Sequence, residues 1–234
     1  MTTDHPRRLL AEFIGTALLV AAIIGSGIAA SQLSPTDSGL ALFENAVATG
    51  AALVAIILAL GPVSGAHLNP VITLVDTALG GMSRRAALGY VVAQIAGACV
   101  GAALANLMFS LPAIELSTHV RSGADLWLSE AIATFGLVLV VFGVVRSGRA
   151  GAAPFAVGAY IAAAYFFTSS TSFANPAVTL GRTLSNTFAG IAPRSAPAFI
   201  VFQLVGGAIA LLTVRTLFPD ASALAEDVIV PHRS

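Results

Sequence analysis

The chain has 234 residues, 57% hydrophobic and 9% charged, with no net formal charge and a mean hydropathy of +0.91. Soluble domains carry about a quarter charged residues, so a water-soluble globular fold is excluded. The basic side chains are all Arg and too scattered to form a nucleic-acid surface.

The first apolar run, residues 9–30, follows Arg7-Arg8 in the manner of a secretory or twin-arginine leader. It is too long for a leader's apolar stretch and contains Glu12, so it reads as a retained span. Further apolar runs follow at 42–60, 86–108, 126–145, 152–167 and 198–217, parted by short segments with Gly, Pro, Ser and charge. Six spans of about 20 residues use on the order of 120, which leaves room for loops and predicts a single membrane domain over 1–234. Cys99, the single cysteine, lies within the third run, forms no internal disulfide and reads as a small core residue. Segments 68–79 and 174–188 are too short to cross, so each must stop partway or re-enter. The predicted fold class is an all-α membrane protein with six transmembrane helices and two half-helices.

Cytoplasmic flanks hold the excess of positive charge. With both ends on one side, that side carries Arg7, Arg8, Arg84, Arg85, Arg146, Arg149, Arg215 and Arg233, and the other carries Arg121, Arg182 and Arg194. The asymmetry predicts a multi-pass protein of the inner (plasma) membrane with both termini cytoplasmic.

The chain repeats itself. Ser64, Asn69, Pro70, Thr73, Leu74 and Thr77 recur 106 positions later as Ser170, Asn175, Pro176, Thr179, Leu180 and Thr183. Glu12, Thr16 and Leu19 are matched by Glu130, Thr134 and Leu137, and Gln94 and Gly97 by Gln203 and Gly206. The repeats run roughly from 8 to 110 and from 126 to 218. Each holds three spans, an odd number, so the second copy is inverted and the two short segments meet from opposite faces.

Asn is a preferred N-cap and Pro a preferred first helical residue. Asn69-Pro70 and Asn175-Pro176 therefore start two half-helices whose positive ends face one point at mid-membrane. An Asn that caps through its side-chain oxygen keeps its amide hydrogens for the passage. A cation there loses hydration without replacement, whereas a neutral hydroxylic molecule keeps a hydrogen bond. Glu12 and Glu130 are intramembrane carboxylates, costly to place and so functional or structural by necessity. They read as acceptors for the irregular backbone ahead of each half-helix; the alternative is a proton relay in a coupled secondary transporter, which inverted repeats also build. Gly97, Gly101, Gly206 and Ala210 read as close helix-packing positions. No metal-ligand cluster and no set of nucleophile, base and orienter appears, so neither an enzyme nor a bound cofactor is expected.

Ser64-Gly65-Ala66-His67-Leu68-Asn69-Pro70-Val71 and Phe173-Ala174-Asn175-Pro176-Ala177 resemble the paired Asn-Pro-Ala boxes of the aquaporin and aquaglyceroporin (major intrinsic protein) family. The resemblance extends over the whole chain through both boxes and both Glu-x-x-x-Thr-x-x-Leu motifs. It implies a passive channel for small neutral solutes, set in the lipid bilayer as a homotetramer. It also implies a four-residue constriction which, carried over by spacing, falls on Thr49, Ala163, Ser172 and Val178. Val178 stands where most members of the family carry Arg, and Gly181 keeps the register, so the constriction is expected to be wide and without a fixed cation. Such a mouth admits solutes larger than water, and it resembles the bacterial branch associated with arsenical resistance, which passes arsenous acid. Arg182, one turn beyond Val178, is expected in the outer vestibule, either stabilising its helix end or attracting oxyacids. Its repeat mate Asp76 would then lie at the opposite mouth, with His67 as a loop residue or a pH gate.

Overall fold

Capping chemistry decides where the helices begin and end. The computed structural model describes residues 4–219, so Arg233 of the charge asymmetry lies outside the described residues. Six long helices are α1 (Asp4–Leu33), α2 (Ser38–Ser64), α4 (Arg84–Met108), α5 (Ala124–Arg146), α6 (Ala153–Phe167) and α8 (Ala196–Leu217). Two short ones are α3 (Pro70–Leu79) and α7 (Pro176–Arg182). Asp37 and Ser83 accept from the amides of Leu40 and Ala86 at 2.9 and 3.2 Å, which caps α2 and α4. Gly65 and Gly80 close α2 and α3 in the left-handed region, at φ 84° and 93°.

All six long helices, α6 together with the short 3-10 turn ahead of it, are apolar enough to cross a membrane. The second half-helix is shorter than the apolar run that predicts it. After Arg182 the chain makes a tight turn, Thr183 N donating to Leu180 O at 3.1 Å. The carbonyls of Thr183 and Leu184 then accept from Ser117 and Glu115 at 3.0 and 3.1 Å, so the loop before α5 draws the chain out of helical register.

Helices α1 and α4 pack together, as do α5 and α8, and α2 lies against both α1 and α6. Lipid tails are as apolar as the side chains, so close backbone approach drives this packing rather than escape from water. A Cβ on Gly97 or Gly101 would lie 2.3 or 2.2 Å from the carbonyl oxygens of Phe13 and Ala17, and one on Gly206 would lie 2.2 Å from that of Ala131. No side chain fits at any of the three. The outer faces present exposed apolar residues such as Leu18, Val92, Leu128, Phe155 and Leu212 to lipid.

The half-helices run outward from the centre in opposite directions. Arg215, near the end of α8, donates to Ala78 O at 2.7 Å, which places the end of α3 on the side of the termini. The end of α7 is held by the loops before α5 and α8 on the far side.

Candidate functional site

The segments ahead of the half-helices are not regular. Ala66 and Leu68 have φ 46° and 52°, and Thr171, Ser172 and Ala174 have φ 62°, 50° and 49°. A left-handed non-Gly residue costs roughly 1–2 kcal/mol, and the alternation turns successive amides toward one side, a concavity suited to an anion. A glutamate fills each concavity. Glu12 accepts from the amides of His67 and Leu68 at 3.0 and 2.7 Å, from Ser64 Oγ at 2.7 Å and from Gln94 Nε2 at 2.8 Å. Glu130 accepts from the amides of Phe173 and Ala174, both at 2.9 Å, and from Gln203 Nε2 at 2.6 Å. Gln94 and Gln203 each also reach the threonine one turn into the adjoining half-helix, Thr73 or Thr179, at 3.0 and 2.9 Å. Both carboxylates are fully buried, and each ties a span to a box through a charge-assisted network.

Asn69 Oδ1 accepts from the Val71 amide at 2.9 Å, and Asn175 Oδ1 accepts from those of Ala177 and Val178 at 3.0 and 3.3 Å. Pro70 and Pro176 occupy the first helical position, where no amide hydrogen is needed. The amide hydrogens depart from the sequence expectation. Asn69 Nδ2 donates to Ala174 O at 2.8 Å and Asn175 Nδ2 donates to Leu68 O at 2.7 Å. Each box is thus latched to the other, and each Asn keeps one amide hydrogen of its two.

A cavity passes these asparagines. The long helices line it with residues four apart on one face: Leu19 and Ile23 on α1, Thr49, Leu53 and Ile57 on α2, Leu137 and Val141 on α5, and Val157, Ile161 and Tyr165 on α6. The boxes add His67, Asn69, Ile72, Ser172, Phe173, Asn175, Val178 and Arg182. Thr49, Ser172 and Val178 therefore line the cavity.

Ala163 does not. It is two residues from both Ile161 and Tyr165, so it sits about 200° round the helix from each, exposed on the outer face. Tyr165 takes the inward place, its hydroxyl 3.1 Å from Thr49 Oγ1. The mouth is therefore not lined by four small side chains. The spacing Val157, Ile161, Tyr165, parallel to Leu53 and Ile57 on α2, is the sequence signal that marks Tyr165.

Arg182 is also displaced from its expected place in the vestibule. It is 2% exposed and lines the cavity. Its Nε donates to Ala189 O, and the guanidinium carbon lies 3.4 Å from the centre of the Phe173 ring. Arg121 shares that ring at 5.3 Å and donates to Gly190 O and Phe188 O at 2.9 and 3.3 Å. Burial draws the pKa of Arg121, in the loop before α5, below the usual arginine value, while the charge of Glu130 acts against that shift. Asp76, the repeat mate of Arg182, is 1% exposed and outside the lining; its carboxylate lies 3.9 Å from His67 Nε2. His67 lines the cavity, with Nδ1 3.1 Å from Thr73 Oγ1. The expected opposition of charges at the two mouths is therefore not formed: Asp76 is buried toward His67 outside the lining, whereas Arg182 lines the cavity against Phe173.

Residues 1–173 match the family described as Major intrinsic protein. The chain is 51% identical over 218 residues to Aquaglyceroporin AqpS of Rhizobium meliloti, covering 93% of each. It is 30% identical over 240 residues to Aquaporin AqpM of Methanothermobacter marburgensis, covering 90% of this chain and 97% of that one. Its fold is similar to the X-ray structure of the aquaglyceroporin from Plasmodium falciparum, with a TM-score of 0.72 at 22% identity over 94% of this chain and 99% of that one.

Proposed function

This chain belongs to the major intrinsic protein family, whose aquaporins are channels and not enzymes, and from that premise we propose that it is a passive channel for small neutral polar solutes. The reading rests on one observation above others: the cavity passes two buried asparagines, each with one amide hydrogen left after latching the opposite box. A passing hydroxyl accepts from that hydrogen, so water shed on entry is replaced. An inorganic cation finds donors there and no acceptor of comparable strength.

Water and glycerol-like polyols fit this chemistry, in keeping with relatives described as aquaglyceroporins. Arsenous acid and related metalloid oxyacids fit it as well, being neutral and carrying hydroxyls in a glycerol-like arrangement. Val178 supports passage of such solutes because its short side chain leaves its corner of the mouth open. The protein acts as a single channel domain in the inner (plasma) membrane, as a homotetramer with both termini cytoplasmic, the orientation supported by the arginine asymmetry.

The proton-coupled alternative would need Glu12 or Glu130 to take up and release a proton during transport. Four donors already converge on Glu12 and three on Glu130, each tied to a box backbone, so cycling either would loosen the half-helix it supports. Proteoliposomes given an inward gradient of glycerol or arsenous acid test the choice. Flux that follows the solute gradient and ignores a pH gradient of either sign is expected. Accumulation against a solute gradient under a pH gradient, or flux equal to that of empty liposomes, would refute the channel.

A further inference from the structure

Resting on the channel reading, we infer that Arg182 is the specificity-determining cation of the far-side mouth, delivered from one turn beyond the position its backbone neighbours would suggest. Val178 and Arg182 are four residues apart on α7 and so share the face turned to the cavity. A long side chain at 182 can therefore fold back along the helix and occupy space that Val178 leaves.

Three contacts fix it there. Nε is spent on Ala189 O, the guanidinium carbon lies 3.4 Å from the centre of the Phe173 ring, and the main-chain carbonyl of Arg182 accepts from the Ile191 amide at 3.3 Å. Together they remove the freedom a vestibule arginine would have. Among the described residues the terminal nitrogens donate to no protein acceptor, so their N–H groups are available to the cavity. The same cavity is lined by Tyr165, hydrogen-bonded to Thr49, and by Ser172, whose buried Oγ has no partner among the described residues.

A planar fork of N–H donors recognises two oxygens at once. The mouth thus favours neutral solutes with hydroxyls on adjacent carbons or on one central atom, and its fixed charge rejects cations before they reach the asparagines. Phe173 is a positioning residue: it touches Arg182 and holds the plane of the fork. Since the charge comes from residue 182, Val178 keeps the mouth wider than an arginine at 178 would.

The test compares parent, R182Q, R182K, F173L and the double variant R182Q/V178R in proteoliposomes. Water, glycerol and methylammonium fluxes are measured beside the melting temperature of each protein. R182Q is expected to raise methylammonium permeability by roughly tenfold or more and to shift the glycerol-to-water ratio by about threefold or more. R182K keeps the charge without the fork, so it should still exclude methylammonium while its glycerol-to-water ratio moves. F173L should fall between parent and R182Q. The double variant returns a cation one turn inward and should restore exclusion of methylammonium; a parental melting temperature in R182Q separates loss of the charge from loss of structure. Parental selectivity in a folded R182Q, or no recovery of exclusion in the double variant, would overturn the assignment. A parent that passes neither water nor glycerol would instead overturn the channel reading itself, so the two failures are distinguishable.

Discussion

Substituting Glu12 by Gln isolates what the buried carboxylate contributes. Each oxygen of Glu12 takes two donors: Oε1 those of Ser64 and His67, Oε2 those of Leu68 and Gln94. A glutamine keeps one acceptor and turns an NH2 toward the other pair. Gln94 can answer by flipping its own amide, because its Oε1 has no partner among the described residues, but the Leu68 amide cannot move. Hydrogen bonds to a charged group contribute about 1.5–3 kcal/mol each and neutral ones about 0.5–1.5. Trading four of the first kind for three of the second costs about 6 kcal/mol on those figures. Some of that is returned because Gln need not be dehydrated as an ion, which leaves a net loss of about 3 kcal/mol. For a chain of this size that lowers Tm by about 6–12 °C. Thermal unfolding of the purified protein in detergent measures the shift. Amide hydrogen exchange should meanwhile accelerate at His67 and Leu68 and stay unchanged at Phe173 and Ala174, which answer to Glu130. A Tm within about 2 °C of the parent, or exchange rising equally in both boxes, would refute the view that Glu12 carries its own box alone.

Replacing Asn69 or Asn175 with Asp sets a carboxylate against the carbonyl it now donates to, Ala174 O or Leu68 O; glycerol flux in proteoliposomes should fall by about tenfold or more, and normal flux in the inserted variants would remove the asparagines from the mechanism. V178R brings a second guanidinium onto the face that already carries Arg182, so glycerol flux should drop by about tenfold while water flux drops less than about threefold; equal losses would indicate a blocked pore. Gly206→Ala places a methyl 2.2 Å from Ala131 O, forcing α5 and α8 apart at a cost of about 3 kcal/mol, seen as a Tm lowered by about 6–12 °C; an unchanged Tm would show that these helices are not held at backbone contact.

The membrane class, the six spans, the inverted repeat and the start of each half-helix were all legible in the sequence. Each depends on short-range properties: the length of an apolar run, an Asn-Pro step that caps a helix, or a motif recurring at a fixed offset. Gly97, Gly101 and Gly206 were legible for a similar reason, since a residue without a side chain at the spacing of a helix face has few other uses in lipid. The lining of the mouth was not. Whether Ala163 or Tyr165 faces the cavity depends on how far α6 is rotated about its own axis. That rotation is set by close contact with α2, where a Cβ on Gly158 would lie 2.6 Å from Gly50 O. Arg182 depends on more distant partners still. Its side chain is long enough to reach the vestibule or the cavity, and the choice is made by the Ala189 carbonyl and the Phe173 ring, each contributed by a different loop. The asparagine amides follow the same rule: the capping oxygen is committed by local sequence, but one hydrogen of each amide goes to a carbonyl more than 100 residues away, which only the assembled repeat brings within reach.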